Sequence, residues 1–299
     1  MTDVDTFTIF QKRVQRGVED YLAKVFSRCP PTEVVRIADY VTLNGGHRWR
    51  PMVVIASGQI FDDTSETKVM PAACGVEIAH AATILLDDLP SMDNALIRRG
   101  KPCAHLVFPA WAVDMAAAFL VNLAYTAILD NPLISAERRV AAALELSRTA
   151  QSLDEGQEKD VTQPPEHEEW EDVLTCYRLK TGSLYAASAK IGGILCNADA
   201  GEIDVLGRYG MKIGLSVQCY DDILDVVARA EETGKYPGND MGKKTCVDFF
   251  GVKGAKELGD QFVEEALLEL EQLNSRADLL RNLARQITWV PAFQEMPPY

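Results

Sequence analysis

Positive charge is scarce in this sequence. Its 30 lysines and arginines face 44 aspartates and glutamates, for a formal charge of −14 and a pI near 4.8. That balance sets aside a nucleic-acid interface built on a basic surface, and with it an electrostatic grip on anionic lipid. An acidic site working through divalent cations remains compatible. Paired cysteines are also missing: Cys29, Cys74, Cys103, Cys176, Cys196, Cys219 and Cys246 are scattered, with no C-x-x-C pair. They read as reduced, packed thiols and not as a disulfide frame or zinc site. The opening MTDVDTFTIFQKR lacks the basic stretch and apolar core of a signal peptide. No run reads as long and apolar enough to cross a bilayer. The expectation is a soluble cytoplasmic protein without stable membrane insertion.

Strand signals are weak almost everywhere, and Ala/Leu/Glu-rich stretches follow helical spacing instead. A helix follows the proline break in VFSRCPPTEVVRIADYVTL and ends at Gly45-Gly46. Another resumes in RPMVVIASGQIF, with Pro51 near its first turn, where proline is tolerated. VMPAACGVEIAHAATILLDD, AWAVDMAAAFLVNLAYTAIL, AERRVAAALELSRTAQSL and WEDVLTCYRLKTGSLYAASAKIGGIL continue the series. The second of these is apolar nearly all round, which predicts a central position. A helix after Gly201 runs through GLSVQCYDDILDVVARA, and KELGDQFVEEALLELEQL and RADLLRNLARQI close the fold. DVTQPPEHEE and ETGKYPGNDMGKK read as loops. With no repeat and no linker, residues 1–299 read as one all-α domain, a helical bundle with a very apolar middle.

Against this background two acidic clusters stand out. LLDDLPSMDNALIRRG carries Asp87, Asp88 and Asp93, then Arg98 and Arg99. QCYDDILD carries Asp221, Asp222 and Asp225. Asp221 and Asp225 share a helix face, where like charges repel by a few tenths of a kcal/mol per pair. The flanking Ile223, Leu224, Val226 and Val227 argue against a fully solvated face. A divalent cation between the oxygens makes such a cluster favourable. Mg²⁺ suits it, since that ion takes one or two carboxylates plus substrate phosphates. The pair of clusters points to a diphosphate held by several Mg²⁺ ions between facing helices, with Pro90 bending the chain to return Asp93. Arg98 and Arg99 add planar cations suited to diphosphate oxygens.

DDLPSMD with RRG, followed by QCYDDILD, resembles the two aspartate-rich motifs of the trans-isoprenyl diphosphate synthases. The resemblance extends from NGGHRWRP to GKYPGNDMGKKT and includes GQEKD (Gly156 to Asp160) and KTG (Lys180 to Gly182), in that family's order and spacing. It implies the isoprenoid synthase fold, a bundle around a deep apolar cavity, and usually a homodimer. It also implies condensation of isopentenyl diphosphate with an allylic diphosphate, using up to three Mg²⁺ per site. Asp87, Asp93 and Asp221 would then be the main Mg²⁺ ligands, with Asp88, Asp222 and Asp225 in support. Arg98, Lys180, Lys235 and Lys244 would hold the allylic diphosphate, with Lys243 the alternate to Lys244. Thr181 and Gln218 would lie by the reacting carbons. Isopentenyl diphosphate would sit on Arg50, His80 and Arg99, with His47 helping. The leaving diphosphate itself would take the proton, so no side chain is assigned as general base.

Product length is expected to be set below the first motif. Ala82 and Thr83 lie five and four residues before Asp87, about 6–7 Å deeper along the helix. In the resembled family an aromatic side chain there stops growth at fifteen carbons; small residues let the tail extend, so a C20 product is expected and C15 is the alternative. Phe119, Met115 or Tyr125 would supply a floor from another helix. Three features depart from the family pattern: His47 replaces a lysine, Ala117-Ala118 replaces Gly-Asp, and ITWVPAFQEMPPY lacks a basic ending. A terpene cyclase of the same fold is the rival enzyme, although it needs no isopentenyl diphosphate site. A regulatory subunit is the non-catalytic rival, although such subunits lose aspartates that this chain keeps.

Overall fold

The computed structural model describes residues 3–162, 169–227 and 243–287. The chain is all-α, as expected. In order the helices are α1 (Asp3–Ser27), α2 (Glu33–Thr42), α3 (Trp49–Gln59), α4 (Glu66–Asp87), α5 (Ala104–Val107) and α6 (Ala110–Leu129). They continue with α7 (Ala136–Thr162), α8 (Trp170–Tyr177), α9 (Ser183–Leu195), α10 (Ala200–Val227), α11 (Cys246–Glu269) and α12 (Asp278–Ile287). A π-helical turn, Arg178–Gly182, joins α8 to α9, and a 3-10 segment, Leu270–Ala277, joins α11 to α12.

α1 lies outside the sequence expectations, yet its pattern explains it. Phe7, Phe10, Val14, Val18, Leu22 and Phe26 recur at three- and four-residue steps and are all buried. After Pro30-Pro31, the Thr32 hydroxyl accepts the Val35 N–H and caps α2. Arg48, left-handed at φ 58°, precedes α3 and is itself buried. Its guanidinium reaches Glu77 of α4 at 2.6 Å, Glu19 of α1 at 2.6 Å and the Thr42 carbonyl of α2 at 2.8 Å. One buried cation thus ties three helices together. Glu77 is its buried partner, and removing that carboxylate breaks a buried pair, a loss worth roughly 3–5 kcal/mol.

Two expectations need correction. Glu66–Asp87 and Ala110–Leu129 are each long and apolar enough to cross a membrane by length and composition. The bundle core explains the first: the most apolar window of α4 is 61% buried inside the protein, against 44% for α6. α6 is also less central than its composition suggests, because Trp111, Met115 and Val121 face outward. The helices buried nearly all round are α3, from Pro51 to Gly58, and α9. Strand, expected to be weak, is confined among the described residues to an antiparallel hairpin, β1 (Ile97–Arg98) with β2 (Lys101–Pro102). Its turn residues Arg99 and Gly100 both have positive φ, the two-residue geometry that matches strand twist. All seven cysteines are free.

Candidate active site

The first acidic cluster sits where α4 runs out. Past Pro90 the chain doubles back, so that the Asp93 N–H donates to the Asp87 carbonyl at 2.9 Å. Asp87 and Asp93 are thereby brought together. Burial first, and then the charges of Asp93 and Asp160 against the relief from Lys180, push the Asp87 carboxyl up to about 6. Asp88 turns the other way and is buried; its Oδ1 accepts Arg98 Nη2 at 2.6 Å and Nε at 3.0 Å. Arg98 therefore meets a carboxylate of its own cluster.

A carboxylate absent from the expected site joins this group. Asp160 ends the GQEKD signpost on α7, and its Oδ2 accepts Lys180 Nζ at 2.6 Å and Lys243 Nζ at 2.7 Å. Lys243 also donates to Asp93 Oδ1 at 2.9 Å. The two lysines outweigh burial and hold Asp160 below the usual carboxylate range. Lys243, the alternate in the sequence reading, thus reaches the acidic cluster. Lys244 stands 5.3 Å over the Phe249 ring. Lys235 lies outside the described residues.

Lys180 and Thr181 occupy the π-helical turn. Such single-turn insertions mark functional sites because they re-aim side chains out of the regular ladder. Gly214 of α10 meets this turn backbone to backbone: a Cβ there would stand 2.6 Å from the Gly182 Cα. That approach lets the Thr181 hydroxyl donate to Gln218 Oε1 at 2.6 Å. One turn further along α10 the second cluster begins. Asp221 is exposed, Asp225 half-buried, and Asp222 buried where it accepts Gln218 Nε2 at 2.9 Å and the Tyr177 hydroxyl.

The third group lies deeper. Arg50 Nη1 stands 3.0 Å from His80 Nε2, and its guanidinium lies over the Tyr185 ring at 4.5 Å. A guanidinium only donates, so His80 Nε2 is the acceptor and its proton sits on Nδ1. Burial first, then Arg50, Arg99, Arg98 and Arg48, hold the imidazole well below its ordinary pKa, so it is neutral. Arg99 donates to the Gly45 carbonyl at 2.6 Å, and Asn44 Nδ2 to the Arg98 carbonyl at 3.1 Å. Gly46, at φ 123°, has no Cβ to strike the Arg99 guanidinium. The NGG and RRG motifs, 54 residues apart, are hydrogen-bonded to each other. His47 is exposed and stacks on Trp49.

Below Asp87, Ala82 is buried at 1% exposure. Thr83 is half-buried, with its hydroxyl on the His80 carbonyl at 2.9 Å. Thr83, one turn before Asp87, shares its face; Ala82 turns into the core. Of the floor candidates, Phe119 and Tyr125 pack partly against the core, but Met115 is 53% exposed on the outer side of α6. The cleft between Tyr40, Ile84, Asp88, Arg98 and Arg99 holds about 20 Å³, room for a water and not for an isoprenoid tail.

Clustered carboxylates, lysines and arginines at one end of a helical bundle define a protein that handles a polyanion. The polyprenyl synthetase family model matches residues 31–280. Geranylgeranyl pyrophosphate synthase 9 of the Arabidopsis thaliana chloroplast is 33% identical over 269 residues, 87% of this chain and 74% of that one. The farnesyl diphosphate synthase of Haemophilus influenzae is 32% identical over 270 residues, 88% of this chain and 90% of that one. A geranyltransferase of Helicobacter pylori, solved with magnesium and isoprenyl diphosphate, superposes with a TM-score of 0.81 over 96% of each chain, at 24% identity. This chain belongs to the polyprenyl synthetase family and is a prenyl-transferring enzyme.

Proposed function

We propose that the protein condenses isopentenyl diphosphate with dimethylallyl, geranyl and farnesyl diphosphate, with all-trans geranylgeranyl diphosphate as its main product. The observation that carries the condensation is the linkage of Asp93, Asp160, Lys243 and Lys180, which joins the first acidic cluster to the turn holding Thr181. Lys180 and Lys243 are placed to take up negative charge on a departing diphosphate, the kind of preorganised stabilisation worth several kcal/mol in a transition state. Thr181 and Gln218 meet the allylic carbons, and Arg50, His80 and Arg99 hold the second substrate. A cyclase has no use for that third group.

The donor set fits Mg²⁺, because Asp87, Asp93 and Asp221 offer hard carboxylate oxygens and Asp87 lacks an ion pair among the described residues. No three carboxylate, imidazole or thiol groups close into a metal cage among the described residues. Diphosphate and water oxygens would complete the coordination, and the metal would neutralise the leaving group. The C20 product rests on Thr83, small and on the Asp87 face. A C15 product is the second reading, favoured by the half-buried Phe119 on α6 and by the farnesyl diphosphate synthase similarity. Trp111 and Met115 of α6, with Val140 and Leu144 of α7, are exposed apolar side chains that a homodimer would cover.

Incubation with Mg²⁺, isopentenyl diphosphate and each allylic diphosphate in turn, with products sized, tests the proposal. Consumption of isopentenyl diphosphate with C20 product is expected. No consumption overturns the condensation, a cyclic hydrocarbon makes the enzyme a cyclase, and a halt at C15 selects the second reading.

A further inference from the structure

Three helices converge on one buried carboxylate. Asp222 of α10 is 2% exposed. Its Oδ2 accepts the hydroxyl of Tyr177, the last residue of α8, and the backbone N–H of Cys246, the first residue of α11, at 3.3 Å. The same N–H lies 2.9 Å from the Tyr177 oxygen. Its Oδ1 accepts Gln218 Nε2 at 2.9 Å, and Gln218 Oε1 accepts the Thr181 hydroxyl at 2.6 Å. The result is an unbroken chain from α8 through α10 to the π-helical turn.

The direction of every bond in that chain follows from chemistry. The Tyr177 hydroxyl lies within hydrogen-bond distance of an Asp222 carboxylate oxygen, which can only accept, so the phenol donates. A carboxylate only accepts, so the Gln218 group facing Asp222 is the NH₂ and the group facing Thr181 is the carbonyl oxygen. The Thr181 proton is committed to that carbonyl. What remains to face the site is oxygen: lone pairs of Thr181 Oγ1 and of Gln218 Oε1. A flipped Gln218 amide would put its carbonyl against Asp222 and turn the Thr181 proton outward.

Resting on the condensation reading, we propose that Tyr177 and Asp222 are positioning residues. They fix Gln218 and Thr181 so that oxygen lone pairs face the electron-deficient carbon. In the reaction the allylic C–O bond breaks and its electron pair leaves with the diphosphate. The resulting cation is then quenched by the double bond of isopentenyl diphosphate, which forms the new C–C bond, and the proton then lost passes to the released diphosphate. Asp222 accepts three donors from within the protein, so its work is internal positioning, and Asp221 and Asp225 are the carboxylates of this cluster that would hold a metal.

The test compares Tyr177→Phe and Asp222→Asn with the wild type in single turnovers, using geranyl diphosphate and its 2-fluoro analogue with isopentenyl diphosphate. Fluorine withdraws electrons, so the rate ratio of the two substrates reports how well the cation is supported, and the folded fraction cancels from it. Tyr177→Phe keeps the ring that packs edge-on against Trp170 at 6.0 Å. Its rate should fall about 10-fold and that of Asp222→Asn about 100-fold, the range for losing an outer orienting partner. The hydrogen-to-fluorine ratio should rise about threefold in both, with Mg²⁺ half-saturation unchanged, because only transition-state support is lost. A tenfold rise in the Mg²⁺ requirement of Asp222→Asn makes Asp222 a metal ligand and overturns the proposal. An unchanged ratio in Tyr177→Phe overturns it also, and decides the matter if Asp222→Asn fails to fold. A wild type that consumes no isopentenyl diphosphate overturns the condensation reading and this inference together; an active wild type with unaffected variants overturns this inference alone.

Discussion

The two acidic clusters share an Asp-Asp pair with a third aspartate downstream, and among the described residues their surroundings differ. At the end of α4, carboxylates are met by cations: Asp88 by Arg98, Asp93 by Lys243, with Asp160 shared between Lys243 and Lys180. On α10, among the described residues, the buried Asp222 accepts from neutral donors: a phenol, an amide and a backbone N–H. Cations cancel a carboxylate's field, and an arriving divalent ion must displace or outcompete them. Neutral donors stabilise the charge in place and keep its field aimed. The first cluster is therefore built to exchange its partners, and the second to hold the geometry around Asp222.

The largest effect that would break this contrast lies at Asp87. Replacing it by Asn should cut turnover about 10³-fold, the upper range for loss of one charge-stabilising group. The same change should raise the metal-free melting temperature, because a carboxyl pushed up to about 6 by burial and by Asp93 is strained when ionised. Asp222→Asn should lower the melting temperature, since three donors lose part of their acceptor. Calorimetry without Mg²⁺ reads both signs, and equal signs would end the distinction. Next in size is Lys243→Met, which frees Asp93 and Asp160 of a shared cation. The Mg²⁺ concentration for half-maximal rate should fall about fivefold by removal of a competing occupant. An unchanged requirement would mean that Lys243 leaves Asp93 without cost.

Product length sharpens the comparison from below the first cluster. Thr83→Phe should shorten the product from C20 to C15, read by sizing the products. Ala82→Phe is the weaker probe, since Ala82 is 1% exposed and an aromatic ring there overpacks the core by about 1–3 kcal/mol. An unchanged product from Thr83→Phe would place the floor at Phe119 or Tyr125.

The helical fold and the two clusters are legible in the sequence because each has a local signature: three- and four-residue apolar spacing in one case, runs of like charge beside apolar residues in the other. Asp160 was visible only as the end of GQEKD, since nothing local says that a carboxylate on α7 will face lysines 20 and 83 residues away. The different surroundings of Asp88 and Asp222 were not legible for the same reason: their partners arrive from a hairpin, α8 and α11. Tyr177 looks like one more core aromatic in LTCYRLK. The distinction between Ala82 and Thr83 needed the helix rotation, which adjacent positions change by about 100°. Apolar composition misplaced α6, because composition counts the outward-facing Trp111 and Met115 as core.

The smallest predicted effect is on the α4 helix itself, two turns before its acidic end. His80 accepts from Arg50 and is held well below the ordinary value of 6.5 by burial and by four arginines. The unfolded chain binds a proton there below pH 6.5, and the folded ligand-free protein does not. Stability from this group is thus level above pH 6.5 and declines as pH falls through it. Between pH 7 and 5.5 the loss amounts to at most about 1.3 kcal/mol, from one extra proton on the unfolded state. Carboxylates titrate over part of the same range, so the measurement is a difference: urea unfolding of the wild type and of His80→Gln, whose amide oxygen can still accept from Arg50. The wild type should lose more stability than the variant over this interval. Equal losses would mean that the folded imidazole takes up its proton despite Arg50, and the arginine cluster would then have to open as pH falls.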